Sequence, residues 1–197
     1  MPEGNGVVLR SPLQYFREHF VGLPMKGAWQ PPEIDARGGG CKAIPDFLSW
    51  MLSAPVVSSK ARQALEPLIA PHAEFLPLPQ VRGSDLWAAN VITLVDCLDE
   101  GRSRILYSRD EPCRIVNVAT FAFKDDCVPD IPIFKLASYP VDVFVTRSFV
   151  EQVRTAGLTG AAFADPAVNP LPLILKGQSL NVIRGAWPAP VDADEDP

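Results

Sequence analysis

From Trp87 to Cys97 the chain is apolar in both phases of a two-residue repeat. Trp87, Ala89, Val91, Thr93, Val95 and Cys97 fall on one side of an extended strand, and Ala88, Asn90, Ile92, Leu94, Asp96 and Leu98 on the other. A strand that is apolar on both sides has to be covered on both, so the fold needs layers above and below a sheet. Asn90 and Asp96 interrupt the second side, and a polar group on a covered face requires a hydrogen-bond partner. The spacing predicts one long strand over about 87–97. It ends in the turn Asp99-Glu100-Gly101-Arg102-Ser103, with a return strand from Arg104 to Ser108.

What covers that sheet is limited by 21 prolines among 197 residues, which predict short helices and many loops. Ser11, Pro12 and Gln14 read as the start of a helix from Pro12 to Val21. Pro45-Asp46 reads as the opening of a second, with Asp46 as cap, Phe47, Leu48, Trp50 and Met51 buried, and Pro55 ending it. Val56-Val57 then leads into a helix from about Ser59 to Glu66, capped by Ser58, limited by Pro67, and turning Ala61, Ala64 and Leu65 inward. Glu74 to Leu78 is an edge strand, because Pro77 has no N–H to donate to a ladder.

Further strands are predicted over Cys113 to Lys124, Ile131 to Leu136 and Val141 to Val145. The last feeds a helix capped by Thr146 or Ser148 and ending near Ala156, with Ser148 and Glu151 as a capping box and Gly157 as C-terminal cap. Leu171 to Leu175 and Leu180 to Ile183 suggest a closing hairpin around Lys176-Gly177, and Trp187 is the last packing residue. The expectation is a single-domain α+β fold, a largely antiparallel sheet flanked by short helices. Residues 1–43 form an N-terminal helix and loop segment packed on a main domain of 44–187, and 188–197 form an acidic disordered tail.

The charge argues against a polyanionic partner. Net charge is −5, but removing Asp192, Asp194, Glu195 and Asp196 leaves 19 acidic against 18 basic residues. No basic run with interleaved aromatics is present, so nucleic-acid binding is not expected. No apolar run of about 18 residues is present for a membrane span, and Met1 to Gly6 lacks the pattern of a secretory leader, so the expected compartment is the cytoplasm. Cys41, Cys97, Cys113 and Cys127 form no close ligand pair, and His19 and His72 are remote from them, so no metal site is expected. Gly38-Gly39-Gly40 lacks the Lys and Ser or Thr of a phosphate loop.

Catalytic groups are equally scarce. Asp96 and Asp99 point to opposite sides of a strand end unless the turn bends, and a thiolate at Cys97 is disfavoured by the charge of Asp96. No catalytic residue, metal ligand or cofactor is assigned. A binding protein is the leading reading, with Asp99, Glu100 and Arg102 as partner-binding candidates. A small enzyme or ligand-binding domain around Asn90 and Asp96 is the alternative, and a scaffold or regulator the third.

Six stretches in order carry a resemblance: Ile44-Pro45-Asp46-Phe47-Leu48; Pro55-Val56-Val57-Ser58 with its helix; Glu74-Phe75-Leu76-Pro77; Asn90 to Asp99; Ile133-Phe134-Lys135-Leu136; and Phe144-Val145-Thr146 leading to Ala156-Gly157-Leu158-Thr159-Gly160. From Ile44 to Phe163 the chain resembles the bacterial immunity-protein family first described from a myxobacterial toxin and immunity pair. The resemblance implies an antidote against a polymorphic toxin, often a nuclease, acting by tight binding in the cytoplasm. It brings no catalytic residues with it.

Overall fold

The computed structural model describes residues 8–10, 19–32, 35–37, 44–51, 53–125, 127, 130–164 and 182–185. Strands β1 (Val8–Arg10) and β2 (Asp35–Arg37) pair with each other. The main sheet is built from β3 (Phe47–Met51), β4 (Ala54–Ser58), β5 (Ala73–Val81) and β6 (Ser84–Val91) in the order β3-β4-β6-β5. A second sheet takes β7 (Leu94–Val95), β10 (Ile133–Leu136), β11 (Phe144–Val145), β12 (Ala162–Ala164) and β13 (Val182–Gly185) in the order β12-β13-β11-β10-β7. Strands β8 (Arg104–Tyr107) and β9 (Ile115–Thr120) form a ribbon of their own. Helices α1 (Ser59–Ile69) and α2 (Arg147–Thr155) follow β4 and β11. Among the described residues six of the nine strand pairs are antiparallel, so the α+β expectation is met, with the pairing divided among four sheets.

The main sheet is covered on both sides, as the two-sided apolar pattern demands. Ala89 and Val91 of β6 join Phe47 and Val57 under Ala61, Leu65 and Ile69 of α1 and Phe149, Val150 and Val153 of α2. Leu86 and Ala88 join Leu48, Val56 and Leu76 on the opposite side, where Phe20, Met25 and Trp29 cover them. A third core gathers Cys97, Leu98, Val118, Phe121, Phe134, Leu136, Tyr139 and Phe144. Its centre is aromatic: the Phe144 ring is edge-on to Phe121 at 5.1 Å and stacked on Phe134 at 5.7 Å.

Several expectations are corrected. The long strand over 87–97 is two strands in different sheets. The break falls at Ile92-Thr93, whose amides both donate to the carbonyl of His72, at 2.9 and 3.4 Å, and β7 then pairs in parallel with β10. Residues 47–51 are a strand, not a helix: Phe47 and Leu48 alternate into opposite cores while pairing with Val57 and Val56. Helix α1 runs through Pro67 to Ile69. Pro67 sits in the last turn, where only the Gln63 carbonyl loses its donor, and burying Ile69 favours continuing. The segment after the Asp99 turn does not return along β6 or β7; as β8 it pairs with β9.

Other expectations hold in part. Strand β5 is an edge, and the Pro77 carbonyl accepts from Trp29 Nε1 at 2.7 Å. Helix α2 starts after Thr146, two residues too early for the expected Ser148 capping box, and Thr146 makes no side-chain cap, so that expectation is corrected. It ends as predicted, with Gly157 at φ +57 and the Leu158 amide reaching back to the Val153 carbonyl. Strand β13 runs parallel to β11 and β12. Most of the predicted helix over 12–21, the glycine run, Leu171 to Leu175, Trp187 and the acidic tail lie outside the described residues.

Candidate partner-binding face

Three of the stretches that carry the family resemblance meet at Asp46. Its carboxylate accepts from Ser58 Oγ at 2.8 Å, the Thr159 amide at 3.0 Å and Thr159 Oγ1 at 3.1 Å, with Lys60 Nζ at 3.5 Å. Ser58 Oγ in turn accepts from the Ala61 amide and caps α1, while the Phe47 amide donates to the Thr159 carbonyl. Burial alone would raise the Asp46 pKa; the Thr159 amide, the Ser58 and Thr159 hydroxyls and Lys60 outweigh it and hold it below the usual value. Every group in this clip is occupied with another part of the chain. The clip fixes the start of β3, the start of α1 and the exit of α2 to one another.

The ribbon β8–β9 is different. Val118 is buried in the third core, with Ile105 and Ile115 packed against it. Leu106, Tyr107 and Val116 are left 60%, 38% and 44% exposed. The register shifts twice along β9, leaving Val116 and Ala119 without opposing partners, as in β-bulges that twist a ribbon and re-aim its side chains. No other described strand pairs with this ribbon. Exposed apolar groups on a two-stranded ribbon that the third core backs suit protein contact.

The candidate residues Asp99, Glu100 and Arg102 stand at the base of the ribbon; Asp99 and Arg102 share one network, and Glu100 is engaged separately by Tyr107. Arg102 Nε donates to Asp99 Oδ2 at 2.6 Å, and its Nη2 to Asp125 Oδ1 at 3.0 Å and to the Phe123 carbonyl at 2.5 Å. The Arg102 side chain, then its own amide, lowers the Asp99 pKa. Glu100 accepts the Tyr107 hydroxyl at 2.8 Å, and that bond raises the tyrosine's pKa. Arg114 and Glu111 pair at 3.2 Å near the far end. Asp99, Arg102, Glu111 and Arg114 are thus paired within the chain, so a partner that buries them need not strand those ions.

Asn90 and Asp96 are not brought together. Asn90 is buried, as its place in the strand required, and donates to the Leu23 carbonyl at 2.9 Å and Glu74 Oε2 at 3.2 Å. The Asp96 side chain lies beyond β7, is 75% exposed and pairs with Lys124 at 3.0 Å. Asp96 and Asp99 hold different cations and form no carboxylate pair. His72 Nδ1 is engaged by Thr93 Oγ1 at 3.0 Å. Burial, with Cys127 and Asp96 nearby, pushes the Cys97 thiol up to about 12, so it is far from an activated nucleophile. No cluster of potential metal ligands occurs among the described residues, and no described helix is long and apolar enough to cross a membrane.

Leu106, Tyr107 and Val116 were not singled out by the sequence, because both strands mix apolar and polar residues in each phase. A signal existed in the segment's isolation between two turn-rich stretches, Asp99 to Ser103 and Ser108 to Glu111, which frees it from the main sheet. A protein-family model described as an immunity protein family (Imm11) matches residues 31–168, more than two thirds of the chain and the ribbon included. No curated protein matches it.

Proposed function

The chain belongs to the Imm11 immunity protein family, and from that premise we propose that it neutralises a cognate bacterial toxin by stoichiometric binding through the β8–β9 ribbon. Membership assigns it to toxin immunity; the mechanism and the face are our reading. The observation that carries the reading is the exposed trio Leu106, Tyr107 and Val116 on a ribbon anchored in the third core. A stable complex buries roughly 1,600 Å² in all, with a few apolar or aromatic anchors supplying most of the affinity. Leu106 and Tyr107 are those anchors, and Asp99, Glu100 and Arg102 form the polar rim beside them. The partner is a polymorphic toxin used in bacterial competition and kin discrimination, met in the cytoplasm. Nucleic acid and membrane are not partners. Where the toxin is a nuclease, Asp99 and Glu100 lie close to the contact and speed encounter with its basic surface.

The protein blocks its partner without turning over a substrate. Co-expression of the chain with the toxin encoded beside it tests this. Cells should survive and the two proteins should co-purify at a fixed ratio. Leu106→Asp should abolish both while leaving the circular dichroism spectrum unchanged. Survival without a complex, or full protection by Leu106→Asp, would refute the reading.

A further inference from the structure

Beneath the rim, the segment that supplies Arg102 with the Phe123 carbonyl and Asp125 is held against the end of β7. The Lys124 amide donates to the Cys97 carbonyl at 2.9 Å, Lys124 Nζ binds Asp96, and Cys127 Sγ donates to the Asp96 carbonyl at 3.4 Å. This threading packs Cys127 against the buried cluster that contains Cys97, with its thiol on the carbonyl of the residue just before Cys97. Cys97 is fully buried and Cys127 is half-buried. Both are reduced, as is the exposed Cys113. A buried thiol beside a more accessible one is the arrangement of a resolving and an attacking cysteine.

We propose that Cys97 and Cys127 are a redox-responsive pair that closes to a disulfide when the chain meets a low-molecular-weight disulfide such as oxidised glutathione. Cys127, the accessible partner, loses its proton to water and attacks one glutathione sulfur. The S–S bond of glutathione breaks, one glutathione thiolate leaves and takes up a proton, and a mixed disulfide remains on Cys127. Cys97 then gives up its proton and attacks the Cys127 sulfur, expelling the second glutathione as thiol. Two protein thiols are oxidised and one glutathione disulfide is reduced to two thiols. The second step is the slow one, because burial keeps the Cys97 thiolate scarce; well below that thiol's pKa its population rises about tenfold per pH unit. The finished bond ties residues 123–127 to β7 and fixes the acceptors of Arg102.

The test uses the full chain treated with oxidised glutathione at pH 7 and pH 8, quenched with an alkylating reagent and mapped by mass spectrometry. A peptide linking Cys97 to Cys127 should appear after a transient single glutathionyl adduct on Cys127, and that adduct should decay about tenfold faster at the higher pH. Cys97→Ser should trap the adduct permanently, and Cys113→Ser should leave closure unchanged. Glutathionylation that stops at Cys127 in the unaltered chain, or linkage of either thiol to Cys113 instead, would overturn the proposal. Because the readout is covalent and needs no toxin, its failure is independent of the binding reading.

Discussion

Replacing Asp46 with Ala removes the acceptor on which three distant parts of the chain converge. The Thr159 amide and the Ser58 hydroxyl lose a partner in a site where the Asp46 residue itself is only 8% exposed, and Lys60 loses its ion pair. Hydrogen bonds to a charged group are worth roughly 1.5–3 kcal/mol each, but those here share one carboxylate and are not additive. Lys60, largely exposed, adds little. The net loss should be about 3–4 kcal/mol, a large part of a typical domain's stability of about 5–15 kcal/mol. Asp46→Asn keeps one oxygen and should cost about half as much. The folded pKa of Asp46 is depressed, so its contribution is complete above the unfolded carboxylate value of about 3.9 and is lost as pH falls through the folded value. Urea unfolding followed by tryptophan fluorescence at pH 7, and again at successive steps below pH 4, measures both effects. The gap between the native chain and Asp46→Asn should shrink as the pH falls. A change below about 0.5 kcal/mol for Asp46→Ala at pH 7 would refute the idea that this clip joins β3, α1 and the exit of α2.

Gly160 has φ +87, and a Cβ there would stand 2.4 Å from the Phe47 carbonyl oxygen, so Gly160→Ala should lower stability by more than about 1 kcal/mol in the same urea assay. Burial pulls the Lys135 ammonium down to about 7, and Asp142 offsets only part of this. Since the unfolded chain then binds more protons between pH 7 and about 10, Lys135 makes stability rise with pH across that window. The native chain should therefore gain stability relative to Lys135→Met from pH 7 to pH 9, and a constant difference would contradict the assignment. Arg102→Ala breaks exposed ion pairs and should leave the urea midpoint nearly unchanged, yet weaken toxin binding measurably in a surface-plasmon titration.

What was legible in the sequence is what local chemistry decides. Pro77 marked an edge strand, Gly157 closed α2, Ser58 capped α1, and the two-sided apolar pattern of β6 announced a sheet covered twice. What was not legible depends on partners far along the chain. The break between β6 and β7 is made by the His72 carbonyl, some twenty residues upstream of Ile92. Pro45-Asp46 has the local grammar of a helix start, but Asp46 serves Ser58 and Thr159 instead, and pairing with β4 makes the following residues a strand. The turn at Asp99 and Arg102 was visible because the side chain folds back on its own neighbours. The exposed apolar trio was not, since which side chains of β8 and β9 face outward is settled only by their bulged register and by the third core beneath.

The central claim is that this protein acts by occupying a toxin through the β8–β9 ribbon, and isothermal titration calorimetry of the purified chain against a catalytically inactive form of the neighbouring toxin addresses it most directly. The account predicts one-to-one saturation, with affinity reduced at least about 100-fold when Leu106 is replaced by Asp. No heat of binding with the native chain, or an unchanged isotherm for the Leu106 variant, would contradict it.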